Sequence, residues 1–124
     1  MAPNYEPEVM EIANLYQIPY GPGCTTYSES LDALKAGAAF IKAFPVSNYY
    51  GPNLAKVFKV PFPQLPVLAS GGVNLKNTKD WIKNGAEVPG VGSMLTKGDA
   101  TQIKENAQAL LRLVDEARDE MVQS

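Results

Sequence analysis

The stretch Ala38-Ala-Phe-Ile-Lys-Ala-Phe-Pro-Val46 decides the fold. It is apolar almost throughout, it carries β-favouring Phe and Ile, and Pro45 closes it, so it reads as a buried strand over Ala39–Phe44. Alternation places Phe40, Lys42 and Phe44 on one face and Ile41 and Ala43 on the other. Lys42 interrupts the apolar pattern, and the run holds no acidic side chain to pair with it. Burying an ammonium without a partner is costly. A neutral lysine amine in a pocket is the nucleophile of Schiff-base enzymes. The plainer alternative is a strand lysine whose head snorkels to water.

Working outward, helical and strand patterns alternate. Residues 7–16 place Val9, Ile12, Ala13 and Tyr16 at helical spacing behind a proline. Ile18–Gly23 reads as a short strand ending in a turn. Ser28–Ala36 is a helix capped by Ser28, with Leu31 and Leu34 inward and Gly37 as its stop. After the lysine strand come a short helix at Asn53–Lys59, a strand at Pro66–Ser70 and a helix at Asn77–Asn84. A strand at Val88–Gly92 follows, and then a long amphipathic helix over Ala100–Met121. Its apolar face is Ile103, Ala107, Leu110, Leu111, Val114 and Ala117.

Four strand–helix repeats of about 20–25 residues imply a parallel sheet wrapped by helices. The spacing is that of a (β/α)₈ TIM barrel, but such barrels run to about 250 residues. The 124 residues therefore predict an α/β chain, residues 1–124, that is the C-terminal half of a barrel with the N-terminal half absent. A small doubly wound domain, complete in itself, is the rival architecture, although such a domain normally begins with a strand. Half a barrel would leave two open edges and an exposed inner face. The isolated chain is then expected to dimerise, to aggregate or to associate with a complementary half-barrel.

Composition narrows the function. Hydrophobic residues make up 45% and charged residues 19%, and the net charge is −2 from 11 basic and 13 acidic residues. That balance gives no footprint for nucleic acid or for an anionic membrane, and no run of about 18 apolar residues suggests a span. The acidic, Pro-containing start is not the pattern of a signal peptide. Cys24 is the single cysteine, so neither an internal disulfide nor a cysteine zinc site is expected, and a cytoplasmic location is the simpler expectation. With no histidine, acid–base chemistry falls to a carboxylate, lysine, tyrosine or water.

In parallel α/β folds the site lies at the strand C-termini. Those ends carry Thr26, Lys42, Ser70-Gly71-Gly72-Val73 and Gly90-Val-Gly92-Ser93. Glycine lets a phosphate approach backbone N–H groups closely, and barrels often hold phosphate on the loops after strands seven and eight. A lone Gly-Gly is usually just a turn, whereas two Gly/Ser loops at consecutive strand ends point to a phosphate site. Cys24 reads as a small buried thiol and Trp81 as packing. Glu87 lies on the opposite, structural face. Tyr49 and Tyr50 stand after the lysine strand, placed to close over the site or to pack at a subunit contact.

Five segments carry a resemblance to a known family: Ile18-Pro-Tyr-Gly-Pro-Gly-Cys-Thr-Thr26, Gly37–Pro45, Pro61-Phe-Pro-Gln64, Ala69-Ser-Gly-Gly-Val73 and Val91-Gly-Ser93. Together they resemble the 2-keto-3-deoxy-6-phosphogluconate (KDPG) and 4-hydroxy-2-oxoglutarate aldolases, and they match the C-terminal part of that family's barrel. The resemblance implies a class I aldolase needing no metal and no cofactor. It implies Lys42 as the Schiff-base residue, Phe44 and Thr26 at the substrate, and Ser70, Gly71, Gly72, Gly92 and Ser93 at the phosphate. The implied partner is a small 2-keto acid, cleaved to pyruvate and glyceraldehyde 3-phosphate or to pyruvate and glyoxylate. Neither nucleic acid nor membrane is implied, and the assembly is a homotrimer of whole barrels. Two positions depart from the family pattern: Ser70 stands where threonine is common, and Val91 where glycine is common. The family's glutamate base and carboxylate-binding arginine fall in the N-terminal half, so the chain alone is expected to be inactive. Two other functions fit the glycine loops, a non-catalytic phosphate-binding module and a phosphosugar isomerase or synthase half-barrel.

Overall fold

Four short parallel strands organise the molecule. The computed structural model describes residues 1–124. In it β1 (Gly23–Cys24), β2 (Ile41–Ala43), β3 (Val67–Ser70) and β4 (Val88–Gly90) form one sheet in the order β1-β2-β3-β4. Every neighbouring pair is parallel, so each connection must travel back along the sheet. Helices make those crossings: α2 (Tyr27–Lys35), α3 (Ser47–Tyr50) with α4 (Asn53–Lys59), and α5 (Thr78–Lys83). Helix α1 (Pro7–Leu15) precedes the sheet and α6 (Ala100–Val122) follows it. This is the expected α/β arrangement of four parallel strands with flanking helices.

The alternation read in the lysine strand separates the two faces of the sheet. Ile41, Ala43, Val67 and Ala69 are buried at 1% exposure or less. They pack with Ala33, Leu54, Phe58 and Trp81 from the helices in one core cluster. Burying each larger aliphatic side chain contributes about 1.5–3 kcal/mol. Lys42 and Ser70 point to the opposite face and are only half-buried. The lysine strand is shorter than expected, three residues in place of six, and its lysine is not fully buried.

Element ends moved for identifiable reasons. The first strand was expected over Ile18–Gly23. Pro19 and Pro22 cannot donate to a ladder, and pairing closes only at Gly23 and Cys24. Carbonyls upstream still serve the sheet, since Tyr20 O accepts from Ala39 N–H and Pro22 O from Lys42 N–H. Helix α3 was expected as loop. It forms because Ser47 Oγ donates to Ala43 O at 2.6 Å and ties its start to the end of β2. In α1 the buried residues are Met10 and Ala13, whereas Val9, Ile12 and Tyr16 are exposed. Asn14 Nδ2 donates to Ala36 O at 2.8 Å. That bond turns the Met10/Ala13/Asn14 edge toward the α2–β2 turn, so of the expected face only Ala13 is buried. In α6, Leu111 is 65% exposed while Ala117 is buried.

One sheet edge is less open than expected. Ala2 N–H donates to Gly21 O at 3.2 Å, and a Cβ at Gly23 would sit 1.9 Å from the Pro3 carbonyl oxygen. The first residues therefore lie along β1. At the other edge, β4 carries Pro89, which an edge strand tolerates.

The cap of α2 is Thr26, not Ser28. Thr26 Oγ1 accepts from Glu29 N–H at 3.2 Å, and Glu29 Oε2 accepts from the N–H groups of Thr26 and Thr25 at 2.7 and 3.0 Å. This capping box joins β1 to α2. The Thr26 backbone N–H is the main cause that holds the Glu29 carboxyl below its ordinary value. Stability from this box is therefore present above the ordinary carboxylate range and lost as pH falls through the lowered folded value. Acid unfolding followed by circular dichroism should be shallower in Glu29→Gln than in the wild type. Superimposable pH curves would contradict this assignment.

Candidate active site

The C-terminal ends of β2, β3 and β4 surround one cavity of about 530 Å³. Lys42 and Phe44 line it from the lysine strand, and Ser70, Gly71 and Gly72 line it from the loop after β3. Gly90, Gly92 and Ser93 complete it from β4 and the loop beyond. The sequence expectation that these residues share one rim is thus met in space for seven of the eight candidates, the exception being Thr26.

Register explains how Lys42 reaches the cavity. It pairs with Gly23 on one side and Leu68 on the other. The glycine leaves room beside the lysine stem, and Leu68 gives it an apolar wall. Lys42 Nζ lies 4.2 Å from the centroid of the Phe44 ring. That is cation–π range, worth about 0.5–1 kcal/mol at an exposed site. Phe44 is therefore the partner that the apolar run lacked among acids. Two hydrogen bonds brace the turn that follows: Thr25 Oγ1 donates to Phe44 O at 3.3 Å, and Ser47 Oγ to Ala43 O. Phe40 lies upstream on the same face. Its ring occupies the space over Gly21, where an added Cβ would come within 2.0 Å of Phe40 Cε2.

The first glycine loop adopts backbone that side chains resist. Gly71 has φ +100° and Gly72 φ +73°, both in the region that favours glycine. The loop is braced from behind. Asn77 Nδ2 donates to Gly72 O at 2.9 Å, Asn77 Oδ1 accepts from Asn74 N–H at 2.8 Å, and Asn74 Oδ1 accepts from Lys76 N–H at 2.9 Å. In the second loop a Cβ at Gly92 would meet nothing within 4 Å, so packing within the chain does not require glycine there. Val91, the departure from the family pattern, packs against the main core and also lines the cavity.

Thr26 does not line this cavity. Its hydroxyl accepts from Glu29 N–H and donates to Glu29 Oε2 at 2.9 Å. The hydroxyl is thus engaged in capping α2, outside the cavity that holds Lys42. Gly90, which the sequence places at the fourth strand end, and Asn48, which is not among the candidates, also line the cavity. Asn48 carried a signal, a polar residue three positions after the strand-ending proline. Tyr49 and Tyr50 are exposed on α3. Tyr50 lines a separate apolar cavity of about 420 Å³ with Val46, Leu54, Val57 and Phe58, and it does not close over Lys42.

Chemically, the cavity offers the Lys42 amine, two hydroxyls, an amide and glycine backbone, with Met1 also at its wall, and no carboxylate lines it. Cys24 is fully buried and burial pushes its thiol up to about 11, so it supplies no thiolate. Glu87 lies at the other end of the sheet as a structural tie. It pairs with Lys59, its Oε2 accepts from Val67 N–H at 2.7 Å, and its carbonyl accepts from Arg118 Nη2 at 3.1 Å. No group of three or more His, Cys, Asp or Glu side chains gathers to hold a metal ion. No helix is long and apolar enough to cross a membrane.

Comparison with known proteins gives a consistent result. Residues 1–113 match the KDPG and KHG aldolase family. The 2-dehydro-3-deoxy-6-phosphogalactonate aldolase of Escherichia coli is 36% identical over 110 residues, covering 88% of this chain and 53% of that protein. The 2-dehydro-3-deoxy-phosphogluconate aldolase of Pseudomonas aeruginosa is 29% identical over 129 residues, covering 95% of this chain and 57% of that protein. A solved structure described as "Native KDPGal structure" superposes with a TM-score of 0.86 at 35% identity, over 94% of this chain and 58% of that one. The chain spans about half the length of the curated relatives it matches.

Proposed function

The chain belongs to the KDPG and KHG aldolase family, and from that premise we propose that it is the C-terminal half of a class I aldolase barrel in which Lys42 forms the Schiff base. The observation that carries this is the single cavity holding Lys42, Phe44 and both glycine loops. One end offers the only lysine amine and the other offers phosphate-binding backbone, the two ends a phosphorylated 2-keto acid presents.

The chemistry follows from the amine. Lys42 Nζ adds to the C2 ketone of the substrate, and loss of water gives an iminium. The iminium accepts the electron pair of the C3–C4 bond as that bond breaks, leaving an enamine and releasing an aldehyde. Protonation at C3 and addition of water return pyruvate and the free amine. Phe44 stacks against the bound chain. The substrates are 2-keto-3-deoxy-6-phospho sugar acids, giving glyceraldehyde 3-phosphate, and 4-hydroxy-2-oxoglutarate, giving glyoxylate. The gluconate and galactonate names of the two relatives leave the sugar configuration for the assay to assign. In the whole protein the barrels assemble as a trimer in the cytoplasm, and exposed Tyr49, Tyr50, Val57 and Val60 supply apolar surface for subunit contact.

Proton transfer is the missing part. With no carboxylate lining the cavity, the general base comes from a complementary half. General acid–base catalysis is worth about 10²–10⁴-fold. Pyruvate release by the chain alone should therefore be lower by at least about 100-fold than with a complementary barrel half carrying that base. Equal rates would remove the need for the second half. No release in either case would favour a phosphate-binding module.

A further inference from the structure

Asn48 joins the two ends of the cavity. It sits on α3, and its backbone N–H donates to Pro45 O at 3.1 Å. Its main chain is thereby fixed in the segment that follows Lys42 and Phe44. Its side chain reaches across to the loop after β3. A Cβ on Gly71 would lie 2.6 Å from Asn48 Nδ2, and one on Gly72 would lie 3.3 Å from Asn48 Oδ1. The amide thus occupies the space that two glycines leave open. The nearby loop carbonyl, Gly72 O, already accepts from Asn74 Nδ2 at 3.3 Å and from Asn77 Nδ2 at 2.9 Å. The Asn48 side chain is exposed and lines the cavity that contains Lys42.

Charge sets what this amide does. Lys42 is the only charged side chain lining the cavity, which Met1, the N-terminal residue, also lines. Beside Gly71 and Gly72 the donors open to an anion are backbone N–H groups, the hydroxyls of Ser70 and Ser93, and the Asn48 amide. Hydrogen bonds to a charged acceptor are the stronger class, so each such donor counts. We propose that Asn48 is a specificity-determining residue whose Nδ2–H donates to the phosphate of the substrate beside Gly71 and Gly72, selecting phosphorylated 2-keto acids over unphosphorylated ones. Its substrate side rests on the aldolase assignment of Lys42, while the phosphate contact stands on the loop geometry alone.

The test is a titration of the 124-residue chain with inorganic phosphate, followed through the backbone amide signals of Gly71 and Gly72. Wild type, Asn48→Ala and Asn48→Asp are compared, and pyruvate capture by borohydride is measured on the same samples. Asn48→Ala should weaken phosphate binding several-fold. Asn48→Asp, which keeps the shape but sets a carboxylate against the anion, should weaken it by at least about tenfold. The exposed position of Asn48 leaves the fold intact in either variant. Phosphate binding within about twofold of wild type in both variants, or no binding by the wild type, would overturn the proposal. Absence of pyruvate capture with Asn48-dependent phosphate binding intact would instead fail the aldolase assignment and leave the Asn48 contact standing.

Discussion

Replacing Lys42 with alanine is expected to abolish covalent capture of pyruvate. Schiff-base formation needs an unhindered primary amine close to a bound ketone, and borohydride reduces the resulting iminium to a stable amine. Lys42 meets the geometric conditions. Its stem is flanked by Gly23 and Leu68 in the sheet, and its Nζ is held over the Phe44 ring. No second lysine lines the cavity. Lys42→Arg should fail as completely, because a guanidinium keeps the charge and loses the nucleophile. Neither change touches the buried face of the sheet, so both variants should keep the wild-type circular dichroism spectrum. Capture retained in Lys42→Ala would move the nucleophile to another residue.

The largest expected effect on stability lies on the other side of the sheet. Trp81 is fully buried on α5 and belongs to the same core cluster as Ile41, Ala43, Val67 and Ala69. Truncation to alanine leaves a large cavity and should cost about 3–5 kcal/mol. Set against a total stability of about 5–15 kcal/mol for an ordinary domain, that is a large share. Trp81→Phe should cost much less, since it keeps most of the ring contacts and removes an indole Nε1–H that has no hydrogen-bond partner. Urea unfolding followed by circular dichroism measures both. A Trp81→Ala midpoint close to wild type would show that the core does not depend on this ring.

The strands and their parallel order were legible because apolar runs recur at regular spacing with helical patterns between them. The two-sided use of the lysine strand was legible for the same reason: alternation alone separates Ile41 and Ala43 from Lys42. What escaped the sequence lies where local hydrogen bonds override pattern. Thr25 and Thr26 are adjacent hydroxyls at one strand end, and only the capping box with Glu29 shows that Thr26 belongs to helix α2. Helix α3 rests on one side chain, Ser47, bonded back to Ala43 O. Asn48 gains its place from glycines more than twenty residues away, a contact that neither spacing nor composition records. In α1 the apolar spacing gives Ala13 but not Met10, because Asn14, a polar residue, sets how that helix docks.

The most direct test of the central claim is peptide mapping of the wild-type chain after treatment with pyruvate and borohydride. A single reduced pyruvate on the peptide carrying Lys42, with the remaining lysines unmodified, is the expected result. Adduct spread over surface lysines such as Lys35, Lys56 and Lys104, or no adduct at all, would contradict a Schiff-base site built on β2.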